Sequence, residues 1–202
     1  MTRNDYQNFR REGVAGSPVV IAFHGTGGNE HQFTGLIDQI LPDAGIVAPR
    51  GDVSEFGANR FFRRTGEGVY DMDDLRLRRE KMLGFISEVR EQNPGREIYA
   101  LGYSNGANIL ASMLFADPSL FDRAALMHPL IPWTPEPQPK LFGKRVLITA
   151  GEVDPISPLK LSKGLIDWFS AQGADVTSLI APGGHEIRPA ELESLKNFLQ
   201  AA

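Results

Sequence analysis

Short apolar runs alternate with helical patterns along most of the chain. The apolar runs are mostly continuous, which is typical of parallel strands covered by helices on both faces. They predict strands at Val19–Phe23, Ile46–Ala48, Ile98–Leu101, Ala124–Met127, Val146–Thr149 and Val176–Ile180. Helical patterns cover Glu30–Leu41, Met72–Gln92, Asn105–Phe115, Pro158–Ala171 and Pro189–Leu199. This alternation predicts an α/β fold with a mostly parallel sheet and helices on both faces.

Local signals refine this outline. Asn29 followed by Gln32 predicts a capped start for the first helix. Tyr6–Arg11 is a candidate antiparallel edge strand. The prolines of Pro129–Pro139 forbid regular structure there, but the segment is too short for a domain linker. We therefore expect one domain over residues 1–202, with a decorated loop.

Composition narrows the partners and the chemistry. The chain has 202 residues and a formal net charge of −4, so nothing favours nucleic acid as a partner. There are no cysteines, which excludes disulfides, thiolate metal sites and a cysteine nucleophile. The first residues contain no apolar run typical of a signal peptide, and no stretch is long enough for a membrane span. We expect a soluble cytoplasmic protein.

The segment Ile98–Leu110 is the most informative. It reads as a strand, then Gly-x-Ser-x-Gly at positions 102–106, then an apolar helix. This context predicts a nucleophile elbow, a strained turn that exposes the hydroxyl of Ser104 above the sheet. Glycines at 102 and 106 let strand and helix approach closely, and the helix start offers the N–H of Asn105 to an oxyanion.

A serine hydroxyl needs a base, and four histidines are available. His185 follows the last strand, at the carboxyl edge where ligand sites of such sheets lie. His24 ends a strand at the same edge and is a rival. His31 falls in the first turn of a predicted helix and reads as a surface residue, whereas His128 follows a strand and could line the pocket. We predict His185 as the base.

The imidazole in turn needs an acid to orient it. Asp154 follows the strand Val146–Thr149 at the carboxyl edge, with Glu152 as the nearest competitor. Asp175 begins a strand and so lies at the wrong edge, and Asp167 is in mid-helix. The order Ser104, Asp154, His185 is that of α/β-hydrolases.

The glycine-rich turn His24-Gly25-Thr26-Gly27-Gly28-Asn29 could bind a phosphate or an oxyanion. It lacks the third glycine of a dinucleotide fingerprint and the lysine of a P-loop. The oxyanion interpretation needs only flexible backbone beside the elbow strand. We predict that the N–H of Thr26 joins that of Asn105 in the oxyanion hole, with Gly25 or Gly27 as alternative donors.

Five segments together resemble the small phospholipase/carboxylesterase family of the α/β-hydrolases: HGTGGNEHQF, PRGDVSEFGANRFFRR, GYSNGAN, GEVDPISP and GGHEI. The resemblance runs from about Pro18 to the C-terminus. It implies Ser104, Asp154 and His185 as the triad, amides after Gly25 and Ser104 as the oxyanion hole, and esterase or thioesterase chemistry without a cofactor or a metal. His128 is a departure, since many relatives carry a small residue there.

Two loops at the carboxyl edge are expected to shape an open pocket for a small ester. The predicted lining comprises Phe61, Phe62, Arg63, His128, Ile131 and Trp133. Arg63 or Arg64 could attract an anion or form surface ion pairs with Glu67 or Asp71. An exposed Trp133 could equally mark a homodimer contact. The leading prediction is a serine carboxylesterase; alternatives are an acyl-thioesterase or lysophospholipase, and a non-catalytic binding scaffold.

Overall fold

A seven-stranded sheet forms the centre of the molecule in a computed structural model, which describes residues 5–201. In the order in which they lie across the sheet, its strands are β1 (Asn8–Arg11), β3 (Gly45–Pro49), β2 (Val19–Phe23), β8 (Ile98–Tyr103), β9 (Arg123–Met127), β10 (Arg145–Gly151) and β11 (Asp175–Ala181). Only the pairing of β1 with β3 is antiparallel. The mostly parallel sheet and the predicted edge strand are both confirmed.

Five α-helices in the described part of the chain flank this sheet: α1 (Thr34–Ile40), α2 (Met72–Gln92), α3 (Asn105–Ala116), α4 (Leu159–Ala171) and α5 (Pro189–Gln200). Side chains of α2, α3 and α4 pack with Val19, Ile21 and Phe23 of β2 in one apolar cluster. Side chains of α1 and α5 pack with Val20 and Ala22 in a second. Successive strand residues point to opposite faces, so burial of both faces explains why the strand sequences are continuously apolar.

The first helix begins later than the sequence predicts. It starts at Thr34 after Phe33, with no side-chain cap. The side chain of Asn29 accepts a hydrogen bond from the His31 amide, and Gln32 instead accepts one from the Gly25 amide at 2.9 Å. The predicted capping pair was therefore wrong, because both side chains stabilise the turns that precede the helix. His31 is exposed ahead of the helix.

The segment between β3 and α2 contains two small hairpins rather than an unstructured loop. One pairs β4 (Val53–Glu55) with β5 (Ala58–Arg60), and the other pairs β6 (Arg64–Gly66) with β7 (Val69–Tyr70). In the predicted irregular segment Pro129–Pro139, residues 129–138 have no helix or strand, but Pro139 begins a short 3-10 helix, Pro139–Leu141. None of the helices within residues 5–201 combines the length and apolar character needed to cross a bilayer.

Candidate active site

The carboxyl ends of β8, β10 and β11 bring three predicted side chains together. Ser104 follows β8, Asp154 follows β10 and His185 follows β11. His185 Nε2 lies 2.8 Å from Ser104 Oγ, and His185 Nδ1 lies 2.7 Å from Asp154 Oδ2. Residues separated by up to 81 positions in the chain thus form one continuous hydrogen-bonded series.

Ser104 occupies a strained turn between β8 and α3. Its φ is 52°, a left-handed value that is uncommon for residues other than glycine. The two flanking glycines are required by space: a Cβ on Gly102 would lie 2.5 Å from the Gly106 carbonyl oxygen, and one on Gly106 would lie 2.3 Å from that of Phe23. This is the geometry that the elbow motif predicts.

His185 is held by its neighbours as well as by its ring nitrogens. The Tyr103 hydroxyl donates to the His185 carbonyl at 2.7 Å, and the two rings lie 5.4 Å apart. The amide of Val153 donates to the Gly183 carbonyl at 2.9 Å, which ties the loop of the acid to the loop of the base. The imidazole side chain remains 16% exposed, in contrast to the fully buried side chain of Asp154.

Asp154 is a fully buried carboxylate with four hydrogen-bond donors around it. Oδ1 accepts from the amides of Ile156 and Ser157 at 2.8 and 2.9 Å. Oδ2 contacts Nδ1 of His185 at 2.7 Å and Nδ1 of His128 at 3.0 Å. Burial would raise the pKa of Asp154, but these hydrogen bonds outweigh it and hold the pKa below its usual value. The carboxylate therefore stays ionised near neutral pH.

His128 lies behind this acid rather than on an open pocket wall. Its side chain is 0% exposed, and its Nε2 is 2.9 Å from Oε2 of Glu191, an equally buried carboxylate in the first turn of α5. Burial opposes the charged form of His128, but its contacts with Glu191 and Asp154 prevail and raise its pKa. The same contact lowers the pKa of Glu191 against the effect of burial.

His24, the rival base, has a structural environment. Its Nδ1 lies 2.7 Å from the Gly25 carbonyl, and its Nε2 accepts from the Gly51 amide at 2.9 Å. Both ring nitrogens are thereby engaged with backbone, which fixes a neutral ring with its proton on Nδ1. Burial lowers the pKa of His24. This histidine joins the glycine-rich turn to the segment that follows β3.

The candidate oxyanion donors differ in whether their amides already make hydrogen bonds. The Gly25 amide donates to Gln32 Oε1 at 2.9 Å, and the Gly27 amide donates to the Asn59 carbonyl at 2.9 Å. Within residues 5–201, no hydrogen bond is recorded for the amides of Thr26 and Asn105. The predicted pair thus keeps its N–H groups available, whereas the two alternative donors are engaged.

The predicted pocket residues differ in their exposure. Phe61 and Phe62 are buried, in edge-to-face contact with Phe23 and Tyr70. Core packing is therefore their evident role, and a place in the pocket lining stays a prediction. The exposed Arg63 forms ion pairs with Asp71 and Asp74, which fits the surface-pair alternative.

Ile131 and Trp133 line a groove of roughly 290 Å³ against α4. Its other lining residues include Leu161, Leu165 and Trp168, together with Lys160. Trp133 is half-buried, and its ring lies 5.9 Å from that of Tyr70. Its place in the substrate pocket and the homodimer contact both stay predictions.

Sequence reasoning missed the residues that support the site. Gln32 orders the glycine turn, and Arg60 Nη1 donates to Thr26 Oγ1 at 2.8 Å. The sequence did not indicate a role for Glu191 in the site, because acidic residues are common in the first turn of a helix, where they cap it. Asn108 gave the only local signal: a polar residue in an apolar helix, which bonds Leu130 and Tyr70.

One group of side chains has metal-ligand composition. Ligand atoms of His128, Asp154 and His185 lie within 4.8 Å of one another. Both imidazoles direct Nδ1 at a single carboxylate oxygen, at hydrogen-bond distances. Hydrogen bonding accounts for this cluster without an ion.

Comparison with known proteins gives the chain its class. No protein-family model matches it. A protein of Bacillus subtilis (strain 168) named "Putative hydrolase MhqD" is 40% identical over 187 residues, which cover 91% of this chain and 93% of that protein. Atu2452, a protein of unknown function from Agrobacterium tumefaciens str. C58, is 51% identical with a TM-score of 0.92, over 100% of this chain and 98% of that one. A Bacillus cereus carboxylesterase is 35% identical with a TM-score of 0.91, over 96% and 93% of the two chains.

The fold and these similarities define an α/β-hydrolase. Within that class, the chain belongs to the phospholipase/carboxylesterase family, as the sequence resemblance implied. Hydrolase function follows from this membership.

Proposed function

We propose that the chain is a serine carboxylesterase that cleaves small carboxylic esters through an acyl-enzyme on Ser104, His185 and Asp154. The observation that carries the proposal is the continuous series of hydrogen bonds, 2.8 Å from Ser104 Oγ to His185 Nε2 and 2.7 Å from His185 Nδ1 to Asp154 Oδ2. An ionised Asp154 accepts a hydrogen bond from the Nδ1–H of His185, so the neutral tautomer of His185 presents its Nε2 lone pair to the hydroxyl.

In the first half of the reaction, Ser104 Oγ attacks the ester carbonyl carbon while His185 Nε2 takes its proton. The resulting imidazolium is stabilised by Asp154. The amides of Thr26 and Asn105 donate to the tetrahedral oxygen, at the positive end of α3. His185 then protonates the leaving alcohol, which departs as the acyl-enzyme forms.

In the second half, His185 removes a proton from water, whose oxygen attacks the acyl carbonyl. Collapse of the second tetrahedral intermediate returns the proton to Ser104 Oγ and releases the carboxylic acid. Chain groups and water supply every atom and proton in this cycle.

We take the groove lined by the predicted pocket residues Ile131 and Trp133 as the place for the acyl or aryl group; Ser104, Asp154 and His185 are not among its lining residues. The groove of roughly 290 Å³ beside Ile131 and Trp133 is at the lower end of the range typical of small-molecule pockets. Its mostly apolar lining suits a short acyl or aryl group. Thioesterase or lysophospholipase activity remains open to the same triad, and a panel of p-nitrophenyl esters and acyl-CoA thioesters of graded chain length separates these substrates.

A fluorophosphonate probe tests the proposal directly, because it phosphonylates an activated serine. We expect labelling of the wild type and none of Ser104→Ala or His185→Ala, with kcat for p-nitrophenyl acetate lowered by about 10⁴–10⁶ in both variants. Ser178→Ala, a substitution at an exposed position of β11, is the matched control and should behave as wild type. A folded wild type that neither reacts with the probe nor hydrolyses any ester would favour the binding-scaffold alternative.

A further inference from the structure

The second imidazole on Asp154 has no part in the mechanism above. His128 is completely buried, and it directly follows β9 with a left-handed φ of 51°. Its amide donates to the Thr149 carbonyl at 2.9 Å, and its own carbonyl accepts from Ser157 Oγ at 3.1 Å. Backbone contacts on both sides therefore fix the ring between two carboxylates, Asp154 and Glu191.

Counting protons defines the state of this ring. An ionised Asp154 has no proton to give, so each imidazole that contacts Oδ2 must donate through Nδ1–H. On the far side of the His128 ring, Nε2 and Glu191 Oε2 lie 2.9 Å apart. Two lone pairs would repel at that separation, so one of the two groups must carry a proton.

That proton belongs on the His128 ring rather than on Glu191. Glu191 Oε1 accepts from the Arg188 amide at 2.8 Å, which favours an ionised carboxylate. Neither Nε2 nor Oε2 makes a hydrogen bond of good geometry within residues 5–201, so charge rather than alignment holds the pair together. Burial disfavours an ionised His128, yet the two carboxylates outweigh it and raise its pKa.

We propose that His128 is a positioning residue, a buried imidazolium held by Glu191, which fixes Asp154 through a second hydrogen bond and opposes protonation of His185 as the pH falls. This inference rests on the proposed function of the triad. Its consequence is an esterase whose base stays unprotonated, and therefore active, at lower pH than with a neutral residue at position 128.

The electrostatic argument is short-range. The two imidazole rings have centroids 5.2 Å apart, so a positive charge on His128 repels a second one on His185. The hydrogen bond from His128 also draws electron density from the oxygen that stabilises the His185 cation. The titratable groups that surround the two rings are Tyr103 on β8, Asp154 after β10, Glu186 after β11 and Glu191 on α5.

Three substitutions separate the charge from the hydrogen bond. His128→Asn keeps a donor at the position of Nδ1, towards Asp154, but removes the charge. His128→Gln keeps a donor at the position of Nε2, towards Glu191, and loses the one to Asp154. Glu191→Gln retains an oxygen for the Arg188 amide, while its amide N–H makes His128 a neutral ring that still donates through Nδ1. His31→Asn, at an exposed histidine, is the matched control.

The main readout is the pH profile of kcat/KM for p-nitrophenyl acetate. We expect the midpoint of the acidic limb to move up by about one pH unit in His128→Asn, and in the same direction in Glu191→Gln, with KM little changed. His128→Gln should show the largest loss of kcat, because Asp154 loses one of its four donors. His31→Asn should keep the wild-type profile.

Nitrogen-15 NMR of the wild type gives an independent readout. At pH 7 both ring nitrogens of His128 should be protonated, whereas in Glu191→Gln only Nδ1 should be. A neutral His128 in the wild type at pH 7 would overturn the proposal. So would an unshifted acidic limb in folded variants.

The two proposals can fail separately. If the fluorophosphonate leaves the wild type unlabelled, the triad function is wrong. If it labels the wild type and all variants with the same pH dependence, the triad stands and the role of His128 is refuted. Should the His128 variants not fold, Glu191→Gln and the wild-type NMR spectrum still decide the matter.

Discussion

Replacing Gly151 by alanine would test whether the alignment of the base depends on the packing of the β10 and β11 ends. Gly151 is the last residue of β10 and pairs with Ala181 of β11. A Cβ at this position would lie 1.9 Å from the carbonyl oxygen of Gly184, the residue immediately before His185. The obstacle is backbone, so no side-chain rotation can relieve it.

The structure sets the scale of the effect. Since real Cβ contacts do not fall below 3.0 Å, the Gly184 carbonyl and the new methyl must separate by at least the 1.1 Å between 1.9 and 3.0 Å. A shift of that size in the attached His185 would lengthen its 2.8 Å contact with Ser104 beyond hydrogen-bonding range. Misplacement by about 1 Å costs on the order of 10²-fold in rate, and overpacking costs roughly 1–3 kcal/mol of stability.

The assay compares kcat/KM for p-nitrophenyl acetate, the rate of fluorophosphonate labelling and the melting temperature. We expect Gly151→Ala to lose about 10²-fold in both rates while remaining folded. Gly35→Ala is the control, because a Cβ on Gly35 in α1 meets no atom within 4 Å. Wild-type rates in a folded Gly151→Ala protein would show that the base does not depend on this close approach.

Two further predictions concern the groove and the buried ion pair. Gly164 lines the groove, and its Cβ position has open space around it, so a leucine side chain there would fill part of the groove. Gly164→Leu should therefore lower kcat/KM for butyrate and longer p-nitrophenyl esters by about tenfold more than for acetate. The control Gly35→Leu should show no such difference between the esters. The ion pair between His128 and Glu191 should stabilise the fold most between pH 4.5 and 6.5, which are the ordinary pKa values of the glutamate and the histidine. In the folded protein the contacts of the pair outweigh burial, so that the pKa of Glu191 is lowered and the pKa of His128 is raised. Its contribution fades as the pH falls through the lowered pKa or rises through the raised one. The melting temperatures of wild type and Glu191→Gln should therefore differ most within that window, and a constant difference from pH 4 to 9 would contradict this.

Much of the fold was predictable because its signals are local. The 21-residue helix α2 begins and ends at the predicted residues, Met72 and Gln92. The side chain of Asp71 accepts from the Asp74 amide at its start, and a proline two residues beyond its end stops it. The strands were recognisable because burial on both faces requires unbroken apolar runs. The elbow was recognisable because its glycines are imposed by close backbone contacts.

The rest depends on contacts that no local pattern encodes. Phe61 and Phe62 look like pocket aromatics in a loop, yet they reach the core through pairings with Phe23 and Tyr70. Glu191 is 63 positions from His128 in the chain and has the sequence signature of a helix cap. Its second role appears only when α5 packs against the end of β9. Side chains whose partners come from distant elements are therefore where the sequence was least informative.

His24 and His128 show most clearly why partners rather than position decide function. Each directly follows a buried strand at the carboxyl edge, and each is almost fully buried. The sequence suggested His24 as a rival base and His128 as a residue of the pocket lining. His24 meets a backbone carbonyl and a backbone amide, which together allow only a neutral ring. His128 contacts a carboxylate at each ring nitrogen, and both nitrogens must carry a proton if both carboxylates are ionised. Similar sequence contexts thus yield a neutral histidine that ties down the glycine-rich turn and, in our proposal, a buried cation beside Asp154. Only the cation can alter how the base responds to pH.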